Sequence, residues 1–374
     1  MKVGIITYWD TDENYGQVLQ TYALQQYLRN SGHDPYLIRY RFKIKGQKAS
    51  FKWYRIFVYL SKLPKYVTWY LNELKRQKSA EQYKEAIRNI DRKFNEFKNL
   101  YVKHTEDVFD EVSIYQNPPQ ADAFICGSDQ IWGGEGAYYL DFAPDDKPKL
   151  AYAPSLGGMT SFSKEYEEQM KAWIKRLAFV GMRESTGVEV CHRLGRKDAV
   201  QVVDPTLLLD KSEYDKLRIS THADKPYLLL YVLGNPMSCS LEEIMAYARK
   251  RGLEVRYVAS SGQGDKYEHI YPQIGEWLDL IANAEMVITN SFHGTVFSIL
   301  FERPFANIPL NAGFERMNTR NIELLHAAGL DKQVYCGSLD DIPTHDIDFT
   351  KFRAYREQEE VRSRKYIAQY IPLK

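Results

Sequence analysis

Met286-Val287-Ile288-Thr289-Asn290-Ser291-Phe292-His293-Gly294-Thr295 joins a short apolar run to a polar turn and then to a second apolar run of helical length. A buried-looking strand, a turn and a helix in that order form the repeating unit of an α/β domain. The pattern predicts a strand over 286–289 and a helix beginning near Thr295. Such a turn presents backbone N–H groups, the Ser291 hydroxyl and the His293 imidazole at a helix start, where phosphate or carboxylate is favoured. A small anionic substrate is therefore the first expectation, although a histidine in such a turn is more often an ordinary hydrogen-bonding residue.

The same alternation extends outward in both directions. Residues 3–8 read as a strand, 10–16 as a loop, and Val18, Leu19, Tyr22, Ala23 and Tyr27 recur at helical spacing before Gly32. Residues 35–41, 121–126, 150–153, 178–182 and 199–203 are further strand-like runs. After the polar stretch 210–225, residues 227–233, 241–251, 254–259 and 275–284 alternate strand, helix, strand and helix up to the opening stretch, and 305–309 is one more strand. A chain of 374 residues exceeds the roughly 250–300 at which one core stops growing. The expected architecture is α/β, two Rossmann-like domains facing across a cleft in a glycosyltransferase-B-like arrangement. The first would span 1–209 and the second 210–347, with 348–374 a charged helix packing back on the first.

Lys and Arg total 50 against 49 Asp and Glu, so no global charge draws the chain to nucleic acid. The distribution is uneven: 39–103 holds 18 Lys or Arg against five Asp or Glu, interleaved with Trp53, Tyr54, Phe57, Tyr59, Tyr66, Trp69 and Tyr70. This basic helical insert, about 43–105, reads as a solvated lid with its tyrosines on the body. The sharper reading is peripheral docking of 51–70 on an anionic membrane surface. Cys126, Cys191, Cys239 and Cys336 lie far apart without CxxC pairing, so neither a zinc site nor a disulfide framework is signalled and a reducing cytoplasm is expected. No uninterrupted apolar stretch approaches the ~20 residues of a membrane span.

Four more polar or glycine-bearing turns follow apolar runs: Asn14-Tyr15-Gly16, Gly127-Ser128-Asp129-Gln130-Ile131-Trp132, Met182-Arg183-Glu184-Ser185 and Asp204-Pro205-Thr206. In this order, together with Ser291-Phe292-His293-Gly294, they resemble the polysaccharide pyruvyltransferase family, and the likeness runs from Met1 to about Leu330. The resemblance implies transfer of the enolpyruvyl group of phosphoenolpyruvate to a sugar of a cell-surface polysaccharide precursor, giving a pyruvate ketal and phosphate with neither cofactor nor metal. It further implies a sugar or lipid-linked oligosaccharide as acceptor, at the inner face of the cytoplasmic membrane if lipid-linked.

Such a donor asks for planar cationic partners for its carboxylate and phosphate, a proton for C3, and a group that takes one from the acceptor hydroxyl. His293 is the candidate proton carrier, acting as base or as donor to the leaving phosphate. Arg183 is the candidate clamp, or else pairs with Glu184 or Asp204. Ser291, Gly294 and Thr295 would meet phosphate oxygens, with Arg316 reaching the same donor. On the acceptor wall stand Asn14, Tyr15, Gly16, Ser128 and Gln130, with Trp132 a stacking face or simply core. Asp129 is a possible second base, or else a turn residue. Asp204-Pro205 reads as a strand end and hinge. Two other readings stay open: a nucleotide-sugar glycosyltransferase, which needs no Gly-x-Gly-x-x-Gly on such a fold, and a non-catalytic glycan-binding or scaffold protein.

Overall fold

The structure is a computed structural model that describes residues 1–42, 77–234, 236–260 and 264–372. It contains two parallel sheets. The first comprises β1 (Lys2–Ile6), β2 (Asp34–Leu37), β3 (Ala123–Cys126), β4 (Lys149–Tyr152), β5 (Phe179–Met182) and β6 (Val200–Gln201), in the order β2-β1-β3-β4-β5-β6. The second comprises β7 (Tyr227–Tyr231), β8 (Glu254–Val258), β9 (Met286–Thr289) and β10 (Phe305–Asn307), in the order β10-β9-β7-β8. Parallel strands covered on both faces must be apolar throughout, and Ala-Phe-Ile-Cys in β3 and Met-Val-Ile-Thr in β9 are entirely buried. Strand order reverses beside β1 in the first sheet and beside β7 in the second, which opens a crevice past the carboxyl ends of the strands in each.

Helix α1 (Tyr15–Asn30) follows β1, α2 (Phe94–Tyr101) precedes β3, α3 (Lys164–Lys175) precedes β5 and α4 (Ser185–Arg193) follows it. In the second half, α5 (Leu241–Lys250), α6 (Ile274–Ala282) and α7 (Phe292–Leu300) connect β7 to β10, followed by α8 (Thr319–Ala328) and α9 (Thr350–Tyr370). Helix α1 is buried on most of its circumference because it lies between the two sheets. Its first residue, Tyr15, stacks on Trp277 of α6 at 5.0 Å and donates from its hydroxyl to the Pro272 carbonyl at 2.7 Å. One apolar cluster therefore runs from the first sheet to the second and forms the floor on which they meet.

Helix α9 returns to the first sheet. The Tyr152 hydroxyl of β4 donates to Ser363 Oγ at 2.9 Å, and Phe179 of β5 stacks on Tyr366 at 5.0 Å. No helix among the described residues is long and apolar enough to cross a membrane.

The described end of the basic insert is less of a lid than its composition suggests. Phe94 is buried against Tyr15, Tyr83 is buried, and the Arg92 guanidinium donates to the Ala259 carbonyl of the second domain at 3.2 Å. This part is a strut between domains, since its aromatics fill the interdomain floor. Residues 51–70, the candidate membrane surface, lie outside the described residues.

Candidate functional site

Strand β9 ends at Thr289, and α7 begins three residues before the sequence pattern places it, at Phe292. Ser291 is the reason: in extended backbone, its Oγ accepts from the Gly294 N–H at 3.3 Å and so caps the helix there. His293 and Gly294 therefore sit in the first helical turn, where the earliest N–H groups have no carbonyl partner along the helix. Gly294 is needed for close packing, because a Cβ there would lie 2.3 Å from Thr289 Oγ1.

The His293 ring reaches across to the first domain. One edge lies so close to α1 that a Cβ on Gly16 would fall 2.1 Å from Nδ1. Its Nε2 faces Asp204 Oδ2 at 3.7 Å. That carboxylate is fully enclosed and is the hub of the site. Ser128 Oγ donates to Oδ2 at 2.6 Å and Arg183 Nη1 at 3.2 Å, while the Thr206 N–H and hydroxyl donate to Oδ1 at 3.0 and 2.7 Å. Burial pushes the Asp204 carboxyl up, but the His293 ring, followed by the Arg183 guanidinium and the Ser128 hydroxyl, outweighs burial and holds it well below the usual carboxylate range.

Arg183 leaves β5 just before α4, and its guanidinium lies 4.8 Å from the centre of the Phe292 ring. A second guanidinium, that of Arg320 in α8, lies 5.6 Å from the same ring. Two cations thus share one aromatic. Desolvation, and after it the charge on Arg183, pulls Arg320 down to about 10, which still leaves it charged at neutral pH. The Gln130 amide, turned with its oxygen toward Arg320, accepts from Nη1 and Nη2 at 3.3 and 3.2 Å. Arg183 Nε and Nη2, Arg320 Nε and His293 Nε2 are buried without a hydrogen-bond partner among the described residues. Buried N–H groups in this state cost about 1–3 kcal/mol each, more when charged, so a ligand that accepts from them recovers that energy. A cavity of 180 Å³ is lined by Arg183, Asp204, Phe292, Arg320 and Glu323, enough for a small anion. A larger cavity of 610 Å³ lies at the start of α1, bounded by Asp10, Asp12, Glu13, Tyr83, Lys84 and Arg92, and neither Arg183 nor Arg320 lines it.

The structure brings together His293, Arg183, Ser128 and Gln130, with Gly16 against the imidazole and Asp129 beside them. Several expected contacts fall elsewhere. Trp132 is fully buried, stacked on Tyr139 at 4.6 Å with its indole N–H on the Tyr138 carbonyl, so it is core and no sugar face. Tyr15 is floor rather than acceptor wall, because its ring is consumed by Trp277. Thr295 is enclosed, its hydroxyl donating to the Ser291 carbonyl and accepting from Asn307, so it meets no ligand. Ser128 faces Asp204 instead of an acceptor. Asn14 caps α1 by accepting from the Gln17 N–H at 3.1 Å. Asp129 adopts φ 85° and accepts from the neighbouring Gln130 N–H at 2.8 Å, the turn geometry open to Asp and Asn.

Arg316 is exposed, and its backbone carbonyl lies against Gly158 of the first domain. Arg320, one helical turn further on, occupies the place expected of it. Asp204, assigned to a hinge from the sequence, is instead the anion that organises the site. A signal existed for both: Asp204 follows β6 as Arg183 follows β5, at neighbouring strand ends, and Arg320 is the i+4 partner of Arg316.

The sequence profile described as polysaccharide pyruvyl transferase matches residues 14–311. No curated protein matches the chain. Among solved structures, the fold is similar to that of a Listeria monocytogenes protein assigned as a UDP-N-acetylglucosamine 2-epimerase, with TM-score 0.51 and 9% identity over 96% of this chain and 90% of that one. A UDP-N-acetylglucosamine 2-epimerase from Rickettsia bellii matches at TM-score 0.48 and 12% identity, each chain covered to 100%. The glycosyltransferase SnogD from Streptomyces nogalater matches at TM-score 0.37 and 14% identity over 99% of this chain and 95% of that one. The two parallel sheets have the glycosyltransferase-B-like arrangement.

Proposed function

Because the chain belongs to the polysaccharide pyruvyl transferase family, we propose that it moves the enolpyruvyl group of phosphoenolpyruvate onto a sugar of a cell-surface polysaccharide precursor. Two sugar hydroxyls add to C2 of the donor and the bond from C2 to the phosphate oxygen breaks. One hydroxyl proton ends on C3, which becomes a methyl group, and the other leaves with phosphate. The product is a pyruvate ketal.

One observation carries this reading: Arg183 Nε and Nη2 and Arg320 Nε, buried without hydrogen-bond partners among the described residues, are gathered round Phe292. A ligand with both a carboxylate and a phosphate has enough acceptors for all of them, and two planar guanidinium groups match such oxygens in pairs. His293 is then the proton carrier toward C3, its ring oriented by Asp204, whose Oδ2 lies 3.7 Å from Nε2. The Ser291-capped start of α7 adds N–H groups for phosphate. The acceptor is a sugar, free or lipid-linked, and the reaction requires no metal in this scheme.

Calorimetric titration of phosphoenolpyruvate into wild type and Arg183→Ala tests the reading. Affinity weakened about tenfold or more in the variant, ~1.4 kcal/mol, is the expected result. Absence of any heat or thermal shift with phosphoenolpyruvate, alongside binding of uridine diphosphate sugars, would replace it with the nucleotide-sugar glycosyltransferase reading.

A further inference from the structure

Helix α4 starts immediately after Arg183, yet its own N-cap residue does not cap it. The Glu184 side chain turns inward, where Oε1 accepts from the Ser155 hydroxyl at 2.8 Å and the Leu156 N–H at 2.9 Å. The free start of α4 is met from the other domain instead. Glu323 of α8 accepts from the Ser185 N–H at 3.1 Å and from the Ser185 hydroxyl, and also from Gln201 Nε2 at 2.9 Å. That same Gln201 amide lies 3.3 Å from the Arg183 carbonyl, for which it is a donor. One carboxylate therefore holds the residue two places after Arg183 and the amide that holds Arg183 itself.

Glu323 stands one turn from Arg320 on α8. The two arginines come from different domains and face one aromatic ring, so beyond what Asp204 neutralises on the Arg183 side their like charges oppose close approach of the domains. A carboxylate on the helix start opposes that push, both as a charge-assisted hydrogen-bond acceptor and through the helix dipole.

We propose that Glu323 is a positioning residue: it supplies the missing cap of α4 across the domain gap, and by doing so keeps Arg320 and Arg183 in register for the anionic donor. The cap exists only when the domains are closed. Its loss lowers the closed fraction, and the apparent affinity for the anion falls by that fraction. The identity of the anion rests on the function proposed above, while the latch itself does not.

The test uses the full chain with inorganic phosphate as the probe, so that a failure of the donor assignment leaves it readable. Amide hydrogen exchange is followed at residues 185–188 in wild type, Glu323→Ala and Glu323→Gln, with a cooperative urea transition required of each variant. Exchange about tenfold faster in Glu323→Ala, with Glu323→Gln intermediate, is expected, together with phosphate affinity weakened about tenfold. With phosphoenolpyruvate, KM should rise about tenfold in Glu323→Ala and recover in part in Glu323→Gln, a rescue that a general loss of structure does not produce. Unchanged exchange at 185–188 overturns the cap, and faster exchange with unchanged phosphate affinity overturns the coupling. Absence of turnover with phosphoenolpyruvate in wild type refutes the donor assignment alone.

Discussion

Gly16→Ala is a one-carbon change whose effect is set by a single neighbour. The new Cβ would lie 2.1 Å from His293 Nδ1, 2.2 Å from Cγ and 2.6 Å from Cβ. These atoms are close to the backbone of α7, so the ring cannot swing aside by a terminal torsion, and an ordinary contact is restored only if α1 or the imidazole retreats by about 1 Å. Overpacking of this kind costs about 1–3 kcal/mol, against which alanine in a helix returns ~0.5–1 kcal/mol relative to glycine. The net expectation is a loss of about 1–2 kcal/mol in urea unfolding, and a fall in kcat/KM on the order of a hundredfold if the ring is displaced by 1 Å. A double-mutant cycle separates the cause. His293→Ala retains the Cβ at 2.6 Å and relieves the clash only in part, whereas His293→Gly removes all three atoms. In the His293→Gly background, Gly16→Ala should therefore stabilise rather than destabilise, with a coupling energy on the order of 1–3 kcal/mol. A Gly16→Ala enzyme that is more stable than wild type and turns over within twofold of it would refute the contact between α1 and the imidazole.

Asp204 gives a pH dependence with a definite sign. Its folded-state carboxyl is held below its unfolded value of ~3.9, so the stabilisation is complete above that value and is lost as pH falls through the folded one. Urea midpoints should be flat from neutrality to about pH 5 as far as this group is concerned and decline below ~4. Asp204→Asn should lack that share of the decline, and Asp204→Ala should cost about 3–5 kcal/mol at neutral pH because it strands Arg183. The two arginines of the 316–320 stretch should behave oppositely: Arg320→Ala raises the donor KM about tenfold or more, ~1.4 kcal/mol, and Arg316→Ala leaves it within about twofold, as steady-state kinetics would record.

Both sheets were legible because each strand is a short apolar run ended by a polar turn, and parallel strands buried on two faces have no other appearance. Met286–Thr289 matches its expected range, and most other strands end within a residue or two of theirs. The start of α7 was missed by three residues, since the capping role of Ser291 competes with its role as part of a turn. His293 and Arg183 were visible as titratable or charged residues in the turns that follow apolar strands. Asp204 was not read as the hub because an Asp before Pro is a common turn signal, and only the packing shows four groups converging on it. Tyr15 was read as a ligand contact, and Trp132 as either a stacking face or core, for a related reason. An aromatic beside a polar turn looks the same in sequence whether its face meets a sugar or another ring, and here Tyr139 and Trp277 supply the other ring.

Helix α9 imposes an order on how the molecule is made. The surface it covers on β4 and β5 is complete once residue 201 has been synthesised, but Ser363 and Tyr366 follow some 160 residues later. At about 5–20 residues per second, that face of the first sheet waits roughly 10–30 s on the ribosome for its cover. A nascent chain released before α9 emerges would leave Tyr152 without Ser363 and Phe179 without Tyr366, an apolar sheet face open to contact with other chains.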